Sequence, residues 1–454
     1  MELFGTAGIR GPVETRVTPE LALRIGHAMG TDAREHGDDQ VAVGRDGRLS
    51  GPTLQRATVA GLQAAGVEVR LVGEVPTPAL AYASQGRRGI LLTASHNPPA
   101  DNGIKLFVDG VEYDHEGEQR IERRVEAGPS PAAWTEWTTA TRESVLSDYR
   151  AAMADYARTM GAPLDDLPIV VDCGNGMASV ATPAVLERLG GDVTALAANV
   201  DGRFPARSSK PTPESLADLR AFVAEGDWAI GFGADGDADR LVVIDGDGDV
   251  VHEDTILAIL GEAFVEDSGA SDPVVVTTPN ASARVDERVE AAGGRVERVA
   301  LGYIHEGIAA ARAGGATVVF AGEPWKHVHP RLGGWIDGVA SAAVLARLVA
   351  ETGGLSALRA PVTERPYRKV SVDCADDRKP AAMTELETEL PAAFPDGSVE
   401  TEYGIRIDRP DGSWVLVRPS GTEPYVRVYA EGEPIDPLVE TAVRTVEAAV
   451  EAVR

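Results

Sequence analysis

The sequence predicts an α/β protein: three related α/β domains followed by a smaller C-terminal α+β domain. Three observations carry this. The chain is 454 residues long, too long for one hydrophobic core. Three segments repeat one pattern of strand, turn, helix, glycine stop and strand. The last stretch departs from that pattern.

The first copy runs from Val41-Ala42-Val43 through a polar loop to a helical stretch ending Ala64-Ala65-Gly66, then Val67 to Leu71. The second runs from Ile169-Val170-Val171 through Gly174-Asn175-Gly176 to a helix ending Leu189-Gly190-Gly191, then Val193 to Leu196. The third runs from Val274-Val275-Val276 through Pro279-Asn280 to a helix ending Ala292-Gly293-Gly294, then Val296 to Val299. Each reads as a right-handed βαβ unit. The copies are too far apart in sequence for a solenoid. From about Pro361, strand-like runs (369–372, 414–417, 425–429) alternate with helical runs near 381–390 and 438–453, and Asp411-Gly412 reads as a hairpin turn. The expected domains are residues 1–148, 149–250, 251–358 and 359–454. Segment 128–138 reads as a loop.

The net charge of −28 argues against nucleic-acid or anionic-membrane partners, which need a basic surface. No apolar run is long enough to span a membrane, and the start lacks the pattern of a signal peptide. Cys173 and Cys374 make neither a disulfide framework nor a metal cluster, so a reduced cytoplasm is the expected compartment. Five lysines stand against 38 arginines and 71 acidic residues. Codon bias toward arginine explains the scarce lysine but not the acids. The pair of biases reads as adaptation to concentrated salt, where self-repulsion is screened.

Chemistry concentrates in a few loops. Residues 92–98 read Leu-Thr-Ala-Ser-His-Asn-Pro, a hydroxyl beside an imidazole just past a strand end. Ser95 is a candidate covalent phosphate carrier with His96 as its acid–base partner; a turn whose imidazole only meets backbone has the same composition. Lys105, close behind, is a candidate general acid or base or else a solvated lysine. Asp235, Asp237 and Asp239 alternate and suit a Mg²⁺ ion; an acidic turn on an acidic protein looks alike. A calcium-loop reading fails, because Arg240 and Gly246 stand where that loop needs Gly and Glu. Arg240 fits a phosphate held on the metal or simple charge balance, and Asp245–Asp249 reads as a plain turn. Arg418, Ser420, Gly421, Thr422 and Arg427 combine guanidinium forks, hydroxyls and backbone donors suited to a dianionic phosphate. Glu323 is placed to accept sugar hydroxyls and Trp325 to cover a ring face, with Lys326 and His327 adjoining. His327 and His329 lack a third ligand and read as polar loop residues. Arg10 lies in the glycine-rich start and can reach a phosphate.

In this order the loops resemble the α-D-phosphohexomutase superfamily, which includes phosphoglucomutase, phosphomannomutase and phosphoglucosamine mutase. The likeness runs from Phe4-Gly5-Thr6 to Tyr425-Val426-Arg427. It implies four domains around a central cleft and makes Ser95 the phosphoserine. Asp235, Asp237 and Asp239 then bind Mg²⁺ together with the serine's phosphate oxygen. Arg240 and Arg10 contact that phosphate, and Lys105 and His96 assist proton transfer. Glu323 binds sugar hydroxyls, and Arg418, Ser420, Gly421, Thr422 and Arg427 hold the substrate's own phosphate. The implied reaction interconverts a sugar 1-phosphate and 6-phosphate through a bisphosphate that turns over in the cleft. Glucose and mannose phosphates are the expected substrates; glucosamine and pentose phosphates stay open. The protein is expected as a monomer or small homo-oligomer. Two departures bear on the sugar. The family's Gly-Glu-x-Ser-Gly-His reads Gly322-Glu323-Pro324-Trp325-Lys326-His327, and 301–305 lacks the family's cation, leaving Lys326 or His305 to compensate. A serine-dependent phosphatase and a non-catalytic sugar-phosphate sensor are the rival readings. If the composition is a salt adaptation, activity and helicity rise toward molar KCl; a steady fall from low salt, in turnover and circular dichroism, refutes it.

Overall fold

Each repeated segment forms a parallel strand pair. Gln40–Arg45 pairs with Glu68–Glu74, Pro168–Asp172 with Asp192–Leu196, and Pro273–Thr277 with Arg295–Arg298. The helices between are Gly51–Ala64, Thr182–Arg188 and Ala283–Ala291. The stop glycines Gly66, Gly190 and Gly293 have φ of +85°, +95° and +88°, left-handed backbone that a Cβ disfavours.

The computed structural model describes residues 3–5, 8–420 and 423–453; Gly421 and Thr422 of the expected phosphate loop lie outside them. The chain divides into two compact units, Met1–Ile256 with Val319–Ala360 and Leu257–Val318 with Pro361–Arg454. No helix among the described residues is long and apolar enough to cross a membrane.

The first unit holds a sheet ordered Ile9–Pro12, Asp101–Val108, Arg88–Leu92, Gln40–Arg45, Glu68–Glu74 and Ala140–Arg142, with Val111–Glu112 paired beside Asp101–Val108. A second sheet runs Leu241–Ile244, Ile230–Ala234, Pro168–Asp172, Asp192–Leu196. Strands Arg88–Leu92 and Ile230–Ala234 are buried along their whole length, as expected of strands covered on both faces. Each then turns back as an antiparallel neighbour, Asp101–Val108 and Leu241–Ile244 respectively. Strand Thr317–Glu323 does the same, returning as Lys326–Val328. The serine loop, the acidic loop and the Glu323 loop are therefore the same topological feature in three settings. Asp245–Asp249 is the plain turn expected, closing a bridge between Ile244 and Val250. Segment 128–138 is mostly irregular but contains a short 3-10 turn at Trp134–Glu136.

The second unit carries an antiparallel sheet ordered Tyr367–Asp373, Tyr425–Glu431, Trp414–Pro419, Ile405–Asp408, Ser398–Glu400. Helices Lys379–Ala393 and Ile435–Ala452 share its apolar core. The second of these buries Leu438, Val439, Ala442, Val446, Ala449 and Val450, one stripe at helical spacing. Asp411-Gly412 forms the expected turn, with Gly412 at φ +80°. Two strands escape the sequence reading. Ser398–Glu400 is short and exposed. Ile405–Asp408 is interrupted by Arg406, which is buried because its guanidinium lies 4.2 Å from the Trp414 ring and pairs with Asp408.

Helices Pro19–Glu35 and Gly51–Ala64 cross at glycines. A Cβ at Gly61 meets the Leu23 carbonyl oxygen at 2.1 Å, and one at Gly26 meets that of Thr58 at 2.2 Å. Both obstacles are backbone, so the helices must separate. Gly61→Ala is expected to cost about 1–3 kcal/mol of overpacking, seen as a lower urea midpoint.

Candidate active site

Ser95 follows the buried strand Arg88–Leu92 in a left-handed conformation, φ +50°. Ala238 in the acidic loop and Trp325 in the Glu323 loop share this feature at +59° and +67°. Non-glycine residues at positive φ cost about 1–3 kcal/mol each and persist where surroundings over-determine them. For Ser95 the restraint is Arg48, wholly buried, whose five N–H donors are all used. Nε donates to Asp46, Nη1 to the carbonyls of Pro98 and Asp101, and Nη2 to those of Ser95 and Asn97, at 2.6–3.0 Å. Thr93 Oγ1 accepts the Ser95 N–H at 3.0 Å and donates to Asp46 at 2.8 Å.

The acidic loop meets this turn directly. Ser95 Oγ donates to Asp235 Oδ2 at 2.7 Å and lies 3.3 Å from His96 Nδ1. Gly236 permits the approach, since a Cβ there falls 2.5 Å from the Ser95 carbonyl oxygen. Asp235, Asp237 and Asp239 are all buried and each offers an oxygen within 4.8 Å of the others. Lys105 Nζ lies 2.9 Å from Asp239, 3.5 Å from Asp237 and 3.5 Å from Glu112. Arg240 Nε is 3.9 Å from Asp235 Oδ2, and its backbone N–H donates to Asp235 Oδ1 at 3.3 Å.

Burial, then the charges of Asp239 and Asp237, push the Asp235 carboxyl well above its ordinary range. Asp239 is held well below: burial works against the charge, but Lys105, Lys326 and Arg240 outweigh it. Asp237 Oδ1 and Asp239 Oδ1 are buried and accept no hydrogen bond. Bare, hard oxygen donors beside concentrated negative charge fit a divalent cation, so this trio can hold a metal. A bound cation would reverse the shift at Asp235.

Arg10, on strand Ile9–Pro12, leaves Nε and Nη2 buried without an acceptor, and Arg240 leaves Nε likewise. Buried unsatisfied donors are costly. Both guanidiniums act on His96, which burial, Arg240 and Arg10 together lower to about 2. His96 is therefore a neutral ring among cations. Donors without acceptors around Ser95 suit a dianionic group on its hydroxyl.

Three expectations change. Lys105 is not poised as a base. Burial favours its neutral form, but Asp239, Asp237 and Glu112 outweigh that and raise it, so it is held as a charged ammonium. Trp325 packs against an apolar cluster that includes Val170, Leu216 and Val242, which commits its indole to the protein rather than to a sugar face. His327 is no exposed loop residue. It lies on strand Lys326–Val328, is 1 % exposed, and packs on Phe320. Its Nδ1 and His329 Nε2 meet the same Ser341 hydroxyl at 3.1 and 2.8 Å. His329 sits in the loop just past that strand, as expected, but is buried there as well. Lys326, bridged through its backbone to Arg240, carries a charge felt at His96 and Asp239. Glu323 is half-buried opposite Lys326 in the register.

The phosphate-type loop lies in the second unit. Arg418 and Arg427 are direct cross-strand partners, a like-charge pairing that destabilises a sheet on its own. Arg418 donates to the Tyr429 hydroxyl at 3.0 Å and Arg427 to Glu423 at 2.9 Å, yet the Nε of each is buried without an acceptor. Lys379 Nζ donates to the carbonyls of Ser420 and Glu423, both at 2.6 Å. Such a face accommodates an anion.

Sequence reasoning missed Asp46, Arg48, Thr77 and Lys379. Asp46-Gly47-Arg48 follows the first repeat's strand, so its place was legible. Thr77 had no signal, because its partner Asp237 is 160 residues away.

Residues 1–131, 148–248, 252–365 and 370–448 match the phosphoglucomutase/phosphomannomutase alpha/beta/alpha domains I, II and III and the C-terminal domain, respectively. A phosphopentomutase from Thermococcus kodakarensis is 40% identical over 98% of both chains. The chain belongs to the phosphoglucomutase/phosphomannomutase family. A probable phosphoglucosamine mutase from Methanopyrus kandleri is 39% identical over 95% of this chain and 94% of its own. A solved family protein from Burkholderia thailandensis superposes with a TM-score of 0.86 at 28% identity, covering 98% of this chain and 97% of that one. The fold is the family's, three α/β domains and a C-terminal domain, and family members are mutases that transfer phosphate within a sugar.

Burial lowers both His327 and His329 to about 3. A histidine pKa depressed by folding leaves stability intact above the unfolded value near 6.5 and drains it as pH falls toward 3. The slope is roughly 1.4 kcal/mol per pH unit for each ring. His329→Gln is therefore expected to flatten the acid limb between about pH 6 and pH 4 by close to one proton, measured from urea midpoints across that range.

Proposed function

We propose that this protein is a phosphosugar mutase that carries its phosphate on Ser95. The observation that carries the reading is the Ser95 hydroxyl 2.7 Å from a buried aspartate trio, ringed by guanidinium donors lacking acceptors. In the forward half-reaction the phosphoryl group leaves Ser95 Oγ for a sugar hydroxyl. One P–O bond breaks, one forms, and the hydroxyl proton ends on Oγ. The second half-reaction reverses this with the sugar's other phosphate. Arg10 and Arg240 meet charge on the moving group. Neutral His96 beside Oγ is placed to relay the proton, and the Lys105 ammonium supplies a fixed positive charge beside the trio. Asp235, Asp237 and Asp239 would hold Mg²⁺, which when bound supplies Lewis-acid neutralisation of phosphoryl oxygens. In the second unit, Arg418, Ser420, Gly421, Thr422 and Arg427 hold the phosphate that is not reacting. Glu323 accepts sugar hydroxyls, and Lys326 adds a cation where the family motif has glycine.

Glucose and mannose phosphates remain the first substrates by resemblance. The relatives named phosphopentomutase and probable phosphoglucosamine mutase, with the altered loop at 323–327, support pentose and amino-sugar phosphates as a second reading. We assign four domains with boundaries near 148, 250 and 358, and a cytoplasmic, salt-adapted setting on composition.

Ser95→Ala is expected to lower mutase turnover at least roughly a thousandfold and to abolish phosphorylation of the chain by a sugar bisphosphate, read by intact mass. Full activity in this variant ends the proposal, and release of inorganic phosphate without isomer formation identifies a phosphatase. A panel of hexose, amino-sugar and pentose 1-phosphates with Mg²⁺ ranks the substrates.

A further inference from the structure

We propose that Thr77 is a positioning residue of the cation site, one whose hydroxyl fixes the plane of the Asp237 carboxylate so that one oxygen is capped and the other left bare. This rests on reading Asp235, Asp237 and Asp239 as a cation site. Thr77 opens the helix Thr77–Ala83 and is 2% exposed. It grips Asp237 at two points: its Oγ1 donates to Oδ2 at 2.5 Å, and its backbone N–H donates to the Asp237 carbonyl at 2.9 Å. Thr93 Oγ1 also lies 3.3 Å from Oδ2, but its single proton has a nearer acceptor in Asp46 at 2.8 Å. Thr77 is thus the hydroxyl donor to Asp237.

The consequence is a sorting of oxygens. On Asp239, Lys105 caps Oδ2 at 2.9 Å and Oδ1 is bare. On Asp237, Thr77 caps Oδ2 and Oδ1 is bare. Asp235 has both oxygens engaged, by the Ser95 hydroxyl and the Arg240 backbone N–H. Rotation of a carboxylate about its terminal torsion is soft, and Lys105 Nζ waits 3.5 Å from Asp237 Oδ2 as a competing cation. Without the Thr77 hydroxyl the carboxylate plane is free to turn toward Lys105, which takes the bare oxygen out of the site. Groups that orient a metal ligand typically change affinity about 10- to 100-fold when removed.

The test is Mn²⁺ binding to the full-length protein by titration calorimetry, with thermal unfolding of the metal-free protein alongside. Thr77→Val keeps the shape and deletes the hydroxyl; Thr77→Ser keeps the hydroxyl and deletes the methyl. Thr77→Val is expected to weaken Mn²⁺ binding about 10- to 100-fold, with turnover recovering at high cation concentration, while Thr77→Ser stays near the parent. Unchanged affinity in Thr77→Val overturns the proposal, and so does equal weakening in both variants, which assigns the effect to general perturbation of packing at this position rather than to the hydroxyl. If Thr77→Val does not fold, Thr77→Ala against Thr77→Ser makes the same comparison. A parent protein that binds no Mn²⁺ fails the underlying cation-site reading instead, a distinct result.

Discussion

Three carboxylates gathered within 4.8 Å in a buried setting are the constraint around which the first unit is arranged. Desolvated like charges repel strongly, and several neighbours answer them. Lys105 lies among them as a buried ammonium, Arg240 follows them in the chain, and Thr77 and Ser95 donate hydroxyl protons to them. Even so, two oxygens remain without a donor. Protein groups leave the balance incomplete in the sense that a divalent cation completes.

The location follows from topology. In each α/β repeat a strand ends, makes a loop and returns antiparallel, and these three returns carry Ser95, the aspartate trio and Glu323. The ends of buried strands in α/β sheets are where ligands are generally bound. Each loop includes a non-glycine residue at positive φ, Ser95, Ala238 and Trp325. At Ser95 the strained conformation is held by the fully used donors of Arg48, a structural element and a reactive residue coupled through carbonyl oxygens.

The second unit poses the same problem with opposite sign. Arg418 and Arg427 face each other across a ladder and are only partly relieved by Tyr429 and Glu423. An anion between such groups removes repulsion that the sheet otherwise bears. The first unit thus gathers buried carboxylates and the second a pair of facing guanidiniums.

Local chemistry made part of this legible in the sequence. The glycine stops, the parallel pairs, the Asp411-Gly412 turn and the strand leading into the acidic loop depend on neighbours along the chain, and all appear as read. Ser95 and the trio were also visible, because reactive residue types at short spacing survive without tertiary context. Strand Ile405–Asp408 was not visible, since a buried Arg406 becomes acceptable only through the Trp414 ring and the distant Pro279 and Ala281 carbonyls, beside its pairing with Asp408. Nor was the burial of His327, the upward shift of Lys105, or the packing of Trp325. The sequence by itself determined which groups exist and in what order of strands and loops. Tertiary structure alone decided their protonation, exposure and partners, because desolvation and Coulomb interaction depend on distances between residues, such as Thr77 and Asp237, that the chain separates widely.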